Sequence, residues 1–156
     1  MLRGFHVVVS GLALAAVALT PAIARAQDPA AAPPAPLVLP LDGGEVALIT
    51  ILIKPDKAAD FELVLSKLKD ALNKSDKPER KQQAAGWTVL KATQPIQGST
   101  VYIMRIDPIV KGQEYDISRL ISEVFPVEVK EIYEKYKEAF VGRAIMYLAP
   151  FQKMSQ

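Results

Sequence analysis

Five side chains of this chain have the chemistry to hold a small ligand, and all five lie in segments whose pattern predicts strands. They are one indole, two phenols and two guanidinium groups: Trp87, Tyr102, Arg105, Arg143 and Tyr147. Alternate residues of a strand share a face and each residue adds about 3.3 Å, so Arg143 and Tyr147 should lie on one face about 13 Å apart. With Trp87 as an aromatic wall, such a set could bind an aromatic anion whose charge Arg143 balances.

The same residues also have a purely structural interpretation, which the sequence leaves open. Trp87 can belong to the core, and Tyr147 can pack at an interface or inside a barrel. Arg105 and Arg143 can lie near strand ends with their guanidinium groups in solvent or against an acid. The pattern therefore predicts a ligand-binding set without assigning a catalytic residue.

Residues 1–26 have the pattern of a secretory signal peptide. Arg3 gives a positive start, residues 7–19 are apolar or small, and Ala24 and Ala26 match the small-residue rule for cleavage before Gln27. The apolar run is shorter than the roughly 20 residues that a membrane span needs. We therefore expect an exported protein, periplasmic or secreted, that has no membrane anchor after cleavage.

Most familiar catalytic groups are missing from the predicted mature chain. The only histidine is His6, in the leader, and there is no cysteine. A histidine base, a nucleophile paired with histidine and a zinc site of nitrogen and sulfur ligands are therefore excluded. Asp107, Glu114 and Asp116 lie in one predicted loop, but they lack the glycine and the ligand density of a calcium loop. We expect no metal and no cofactor.

The balance of charges gives no support to a nucleic-acid partner. The chain has 19 Lys and Arg residues against 17 Asp and Glu residues, and cleavage would remove Arg3 and Arg25, which makes the two numbers equal. Binding to a polyanion or to an anionic membrane surface requires a basic excess on one face. Without cysteine there are no disulfides, so a packed core must hold the exported domain together.

The composition changes sharply after the predicted leader. Residues 27–44 are rich in proline and alanine and predict an extended linker. Its apolar residues Leu37, Val38, Leu39 and Leu41 could cover an edge of the domain. Residues 45–150 have regular hydrophobic periods and predict one folded domain. Residues 151–156 form a short tail.

The hydrophobic pattern of the domain predicts its elements in the order strand, helix, strand, strand, helix, strand. Residues 46–53 are apolar and rich in β-branched types, and an amphipathic helix with Asp56 as its expected cap follows. The polar stretch 74–83, which contains Pro78, predicts a solvated connection. The remaining predicted elements are strands at 87–93 and 100–107, a short helix at 116–125, a helix at 127–140 that Gly142 terminates, and a strand at 143–148.

This order predicts an α+β fold of the ferredoxin-like type, with a four-stranded antiparallel sheet and helices on one face. The first strand is apolar on both faces except at Thr50. Helices cover only one face, and a large apolar patch is unusual on a monomer. We therefore expect a homodimer in which a second copy covers the other face of the sheet.

Three stretches carry a resemblance to a known family: ITILIKPDKAADFELVL at 49–65, Gly86-Trp87 at the start of the second strand, and VYIMRID at 101–107. In these features residues 45–150 resemble the dimeric α/β-barrel superfamily, and within it the antibiotic-biosynthesis-monooxygenase-like domains. The resemblance implies that two sheets close into a barrel and that each subunit can hold a cavity between its sheet and its helices. Some members oxidise quinol-like aromatic substrates without a cofactor. The haem-degrading members resemble this chain poorly, because their characteristic histidine is absent.

Two classes of function follow. The first is a non-catalytic, homodimeric binding domain for a small apolar or aromatic ligand or a protein partner. We prefer it because the motifs predict no chemistry. The second, implied by the resemblance, is a cofactor-independent monooxygenase-like enzyme that acts on an activated aromatic substrate. The enzyme would require Trp87, Arg143 or Tyr147 to converge on one enclosed cavity.

Overall fold

The computed structural model describes residues 35–149. The predicted leader with its cleavage site at Ala24, Ala26 and Gln27, residues 27–34 of the linker, and the tail lie outside this range. The described residues form four strands and four α-helices, and a short 3-10 turn at Pro55–Lys57 leads into the first helix. In chain order the elements are β1 (Val46–Ile53), α1 (Ala58–Lys74), α2 (Pro78–Gly86), β2 (Trp87–Lys91), β3 (Thr100–Ile106), α3 (Ile117–Val124), α4 (Val129–Ala139) and β4 (Phe140–Leu148).

The strands form one open antiparallel sheet in the order β2-β3-β1-β4. The α+β class and the four-stranded antiparallel sheet are as predicted, and this strand order is compatible with a ferredoxin-like fold. β1 has the bounds that its apolar run predicted. Within residues 35–149, none of the helices combines the length and the apolar character that crossing a bilayer would take.

The core lies between the helices and one face of the sheet. Along β1 burial alternates with every second residue, and Ala47, Ile49, Ile51 and Ile53 form the buried set. α1 packs on them through Phe61, Val64 and Leu68, whose spacing of three and four residues places them on one helix face. The other face of β1 carries Val46, Leu48 and Leu52, which are only half-buried.

The predicted solvated connection over 74–83 is wrong, because most of it belongs to α2. Pro78 begins the helix, where its missing N–H costs nothing. The two side chains that α2 buries are polar, and both have tertiary partners. Arg80 donates two hydrogen bonds to the Glu123 carboxylate, at 3.0 and 2.8 Å, and Gln83 donates to the Glu114 carbonyl at 2.8 Å. The polar composition of this segment therefore predicted exposure to solvent, whereas the structure buries Arg80 and Gln83 in hydrogen-bonded contacts.

Two local predictions at helix ends are also wrong. Asp56 makes no side-chain cap, because it lies in the 3-10 turn and α1 begins two residues later. Gly142 does not end α4, since the helix stops at Ala139 and β4 already begins at Phe140, which pairs with Ile53. Of the two residues that could cap the short helix, Asp116 and Ser118, the structure has Asp116 as the cap: its side chain accepts a hydrogen bond from the Arg119 N–H at 3.0 Å.

The described end of the predicted linker is fixed to the domain. Residues 37–41, here called the N-terminal strap, contribute Leu41 to the core. The Glu114 carboxylate accepts hydrogen bonds from the Val38 and Leu39 N–H groups at 2.7 and 2.9 Å, and from Tyr115 and Asp116 at 3.0 and 2.8 Å. Burial by itself raises the pKa of Glu114, but these four N–H groups lower it below its ordinary value.

Candidate functional site

A long open groove lies between α1, α2 and the helix-facing side of β2, and we call it the α1–β2 groove. Its volume is about 1060 Å³. Its floor is apolar: α1 contributes Leu65, Leu68 and Leu72, and β2 contributes Trp87 and Val89. Alternation along β2 explains the second pair, because residues 87, 89 and 91 share one face of the strand. The groove therefore offers an apolar surface along the length of α1.

Three polar side chains close one end of the groove. The Tyr102 hydroxyl and the Lys91 ammonium both donate to Oε1 of Glu62, at 2.8 and 2.7 Å. The Lys91 hydrogen bond and then that from Tyr102 lower the pKa of Glu62, whereas burial and then the Glu62 hydrogen bond raise the pKa of Tyr102. At neutral pH this end therefore holds an ionised carboxylate and a neutral phenol, and the phenol donates its hydrogen bond to the carboxylate.

The other end of the groove carries two further lysines, Lys69 on α1 and Lys81 on α2. Both side chains are exposed. Within residues 35–149 neither of them forms an ion pair, in contrast to Lys91. The two ends of the groove thus differ in charge: one end is neutralised internally and the other is cationic.

Trp87 connects the groove to the core. It is the only tryptophan of the chain. Its ring packs against Tyr115 with 5.5 Å between ring centroids and a tilt of 47°. Its Nε1 is buried and has no hydrogen-bond partner among the described residues. The indole is therefore partly a core residue and partly a groove wall, which combines the two interpretations that the sequence left open.

The register of the sheet shows where the other predicted residues lie. One row of paired residues runs across the helix-facing side of the sheet, from Trp87 through Ile106 and Ala47 to Tyr147. Trp87 is on one edge strand and Tyr147 on the other. Three strand spacings of about 4.8 Å separate their backbones by roughly 14 Å. The helices that cover the central strands lie between them.

Arg143 also lies on the helix-facing side, in the row of Tyr102 and Ile51. It lines a separate pocket of about 10 Å³ beside Tyr136, which has room for one water at most. The structure therefore brings Trp87 and Tyr102 together in the α1–β2 groove and places Arg143 and Tyr147 at the opposite edge of the sheet.

Tyr147 and Arg105 have structural neighbours of their own. The Tyr147 ring covers Gly43, where a Cβ would come within 2.4 Å of the ring. Arg105 pairs with Leu48 in the register, which places it on the face of the sheet away from the helices, and its guanidinium forms an ion pair with Asp107. Each of the two residues therefore has a contact within its own chain.

The face of the sheet that points away from the helices is a second candidate surface, which we call the open sheet face. The register places these apolar residues on it: Val46, Leu48, Leu52, Leu90, Ile103, Met146 and Leu148. Met146 is 60% exposed and Leu90 is 53% exposed. Arg105 is the only charged residue that the four strands place on this face. An apolar surface of this kind is typical of protein interaction sites.

Sequence reasoning missed several groove residues. Val89 and Lys91 have the same parity as Trp87, so the groove side of β2 was readable from the strand pattern. Glu62, Lys69 and Lys81 gave no signal, because helical surfaces carry charged residues routinely and Lys81 lies in the segment that was predicted to be a connection.

Comparison with protein-family models, with curated proteins and with solved structures found no match to this chain. Among residues 35–149 there is also no group of three or more acidic or histidine side chains placed to hold a metal ion. The geometry of the groove and of the open sheet face is therefore the basis for any functional proposal.

Proposed function

We propose that this protein is an exported, non-catalytic binding domain that takes a small apolar or aromatic ligand in the α1–β2 groove. The observation that carries the proposal is the apolar floor formed by Leu65, Leu68, Leu72, Trp87 and Val89. Ligand sites typically measure about 300 to 1,000 Å³ and combine apolar walls with a few polar groups. The groove, with its polar ends, has this composition, and its volume of about 1060 Å³ lies slightly above this range.

Binding without catalysis is better supported than the monooxygenase-like alternative. A general acid or base works best with a pKa near the working pH. At the groove the pKa of Glu62 is lowered and that of Tyr102 is raised, so both shifts lead away from neutrality. The enzyme would also require Trp87, Arg143 or Tyr147 to converge on one enclosed cavity. Within one chain Trp87 lines an open groove, and the other two residues lie on the opposite edge strand.

We also propose that the protein is a homodimer that buries the open sheet face against a second copy. The support is the character of this face, which is apolar and has one charged residue, Arg105, already paired with Asp107. Leaving large apolar side chains in water forgoes about 1.5 to 3 kcal/mol for each one that could be buried. A two-fold pairing covers the same patch on both copies at once.

Two adjacent residues of β2 separate these two proposals experimentally. Val89 points into the groove and is 38% exposed, whereas Leu90 pairs with Ile103 on the open sheet face. Val89→Glu places a carboxylate in the groove, and Leu90→Glu places the same group one residue away on the other face. We would measure binding of the neutral probe phenylnaphthylamine through quenching of Trp87 fluorescence, and assembly by sedimentation velocity.

We expect Val89→Glu to weaken probe binding at least about tenfold, because a carboxylate buried against an apolar ligand loses hydration, and to leave the sedimentation coefficient unchanged. Leu90→Glu should convert the dimer into a monomer and retain probe binding. Unchanged binding by Val89→Glu would refute the groove as the ligand site. A wild-type protein that sediments as a monomer would refute the dimer.

A further inference from the structure

We infer that the natural ligand of the α1–β2 groove is an elongated apolar monocarboxylate, held with its carboxylate at the Lys69 and Lys81 end and its apolar body directed toward Tyr102. This inference rests on the proposed function, because it names the chemical class and the orientation of the ligand at the same site.

The charge of the groove favours an anion. Its charged residues are Glu62, Lys69, Lys81 and Lys91, so it carries three cations against one acid. Lys91 is already bound to Glu62 at 2.7 Å. Lys69 and Lys81 project from two different helices and have no acidic partner within residues 35–149. An ammonium group binds a carboxylate through a charge-assisted hydrogen bond, which is stronger than a neutral one.

The opposite end of the groove discriminates against a second anion. Glu62 is ionised at neutral pH, and its Oε1 already accepts hydrogen bonds from both Lys91 and Tyr102. A ligand carboxylate placed there would meet a like charge and would find Lys91 occupied. The apolar end of the ligand therefore lies near Tyr102, and a molecule with a carboxylate at both ends is rejected.

The spacing along α1 favours an elongated ligand. Glu62 and Lys69, the charged groups that α1 contributes to the two ends, are seven residues apart on this helix, which corresponds to about 10 Å at 1.5 Å per residue. Leu65 and Leu68 lie between them, and Leu72 extends the apolar surface past Lys69. A straight alkyl chain or a linear aromatic acid can contact this surface along its whole length, whereas a compact molecule would contact only part of it.

The test compares four probes that have the same alkyl chain and different ends: decanoate, decanol, decyltrimethylammonium and decanedioate. Each is titrated below its aggregation concentration against the purified protein, with displacement of phenylnaphthylamine as the readout. We expect decanoate to bind about tenfold more tightly than decanol, since its carboxylate can form two exposed ion pairs and each of these contributes about threefold. Decyltrimethylammonium and decanedioate should bind more weakly than decanoate.

Three matched variants remove one lysine charge each. Lys69→Gln and Lys81→Gln should each weaken binding of decanoate about threefold and leave binding of decanol unchanged. Lys111→Gln removes an exposed lysine that does not line the groove, and it should change neither affinity. Glu62→Gln should raise the affinity for decanedioate, because it removes the like charge and releases Lys91 to bind the second carboxylate.

The outcomes separate this inference from the proposed function. Equal affinities for decanoate and decanol, or no effect of Lys69→Gln and Lys81→Gln on decanoate, would overturn the inference while leaving the groove as an apolar site. If the protein fails to bind phenylnaphthylamine itself, the proposed function fails. If Glu62→Gln weakens decanoate as strongly as the lysine variants do, the assigned orientation is wrong.

Discussion

Replacing Arg80 with methionine tests whether a buried ion pair holds α2 in place as a wall of the groove. Methionine retains an apolar stem in the same space, so the variant removes charge and hydrogen bonds rather than packing. The substitution removes four hydrogen bonds that Arg80 donates. Two go to the Glu123 carboxylate, and one each goes to Gln83 and Gln113, at 2.7 and 3.1 Å.

The expected cost follows from the exposure of the two partners. The Arg80 side chain is 6% exposed and that of Glu123 is 25% exposed. Removing one partner of a buried pair costs about 3 to 5 kcal/mol. Because Glu123 is partly solvated and keeps Lys77 at 3.2 Å, we expect about 3 kcal/mol, at the lower end of that range.

Urea unfolding at neutral pH measures this loss, and Lys77→Met is the matched control. Lys77 bonds to the same carboxylate but is more than half exposed, so its replacement should cost less than about 1 kcal/mol. The pH dependence gives a second readout. Arg80 first, and then Lys77, lower the pKa of Glu123, against the opposing effect of burial. The stabilisation is therefore present above the ordinary carboxylate pKa and is lost as the pH falls through the lowered value.

Arg80→Met should therefore reduce the loss of folding stability that accompanies a fall in pH in this acidic range. It should also weaken binding of phenylnaphthylamine, since Ala84 and Ala85 of α2 line the groove. A loss of less than 1 kcal/mol, or a loss equal to that of Lys77→Met, would refute the reasoning, because the buried contact would then contribute no more than an exposed one.

Two further substitutions test local geometry. Gly86→Ala should lower the free energy of unfolding by about 1 to 3 kcal/mol, because its Cβ would lie 3.0 Å from the Pro108 carbonyl oxygen. Gly142→Ala has open space within its chain and should be nearly neutral; because Gly142 lies on the open sheet face, the two variants are compared in the Leu90→Glu monomer. Equal effects of the two would contradict this account. Glu114→Gln should cost about 2 kcal/mol and speed hydrogen exchange at Val38, since an amide cannot accept at both positions. In the unsubstituted protein this protection should fall as the pH drops through the lowered Glu114 pKa, and protection independent of pH would refute the role of the carboxylate.

The elements with apolar side chains could be predicted from the sequence. β1 has β-branched residues at both parities, and α1 has its core contacts at helical spacing, so short-range pattern determines both. α2 could not be predicted in the same way. Its buried side chains are the polar Arg80 and Gln83, and their partners lie 43 and 31 residues further along the chain.

The candidate site was predictable to a similar degree. Trp87 and Tyr102 were expected to face a ligand, and both line the groove. Arg143 was expected near Trp87, but the two residues lie on opposite edge strands. The order of the strands in the sheet decides this, and residue spacing along the chain does not indicate it. Lys69 and Lys81 become neighbours of one groove only through the packing of α1 and α2, so the sequence pattern of neither helix indicates them.

The hydrogen bonds that converge on Glu114 attach residues 38 and 39 to the rest of the described domain. Hydrophobic periodicity starts at Glu45, so a domain excised by pattern alone would begin there. Such a fragment would lack Leu41, which is 1% exposed in the core, and would remove two of the four donors from a carboxylate that is almost fully buried. A fusion or a recombined protein that contains this domain should therefore keep the residues from Leu37 onward. The N-terminal limit of the domain depends on the hydrogen bonds to Glu114 and not only on the strands of the sheet.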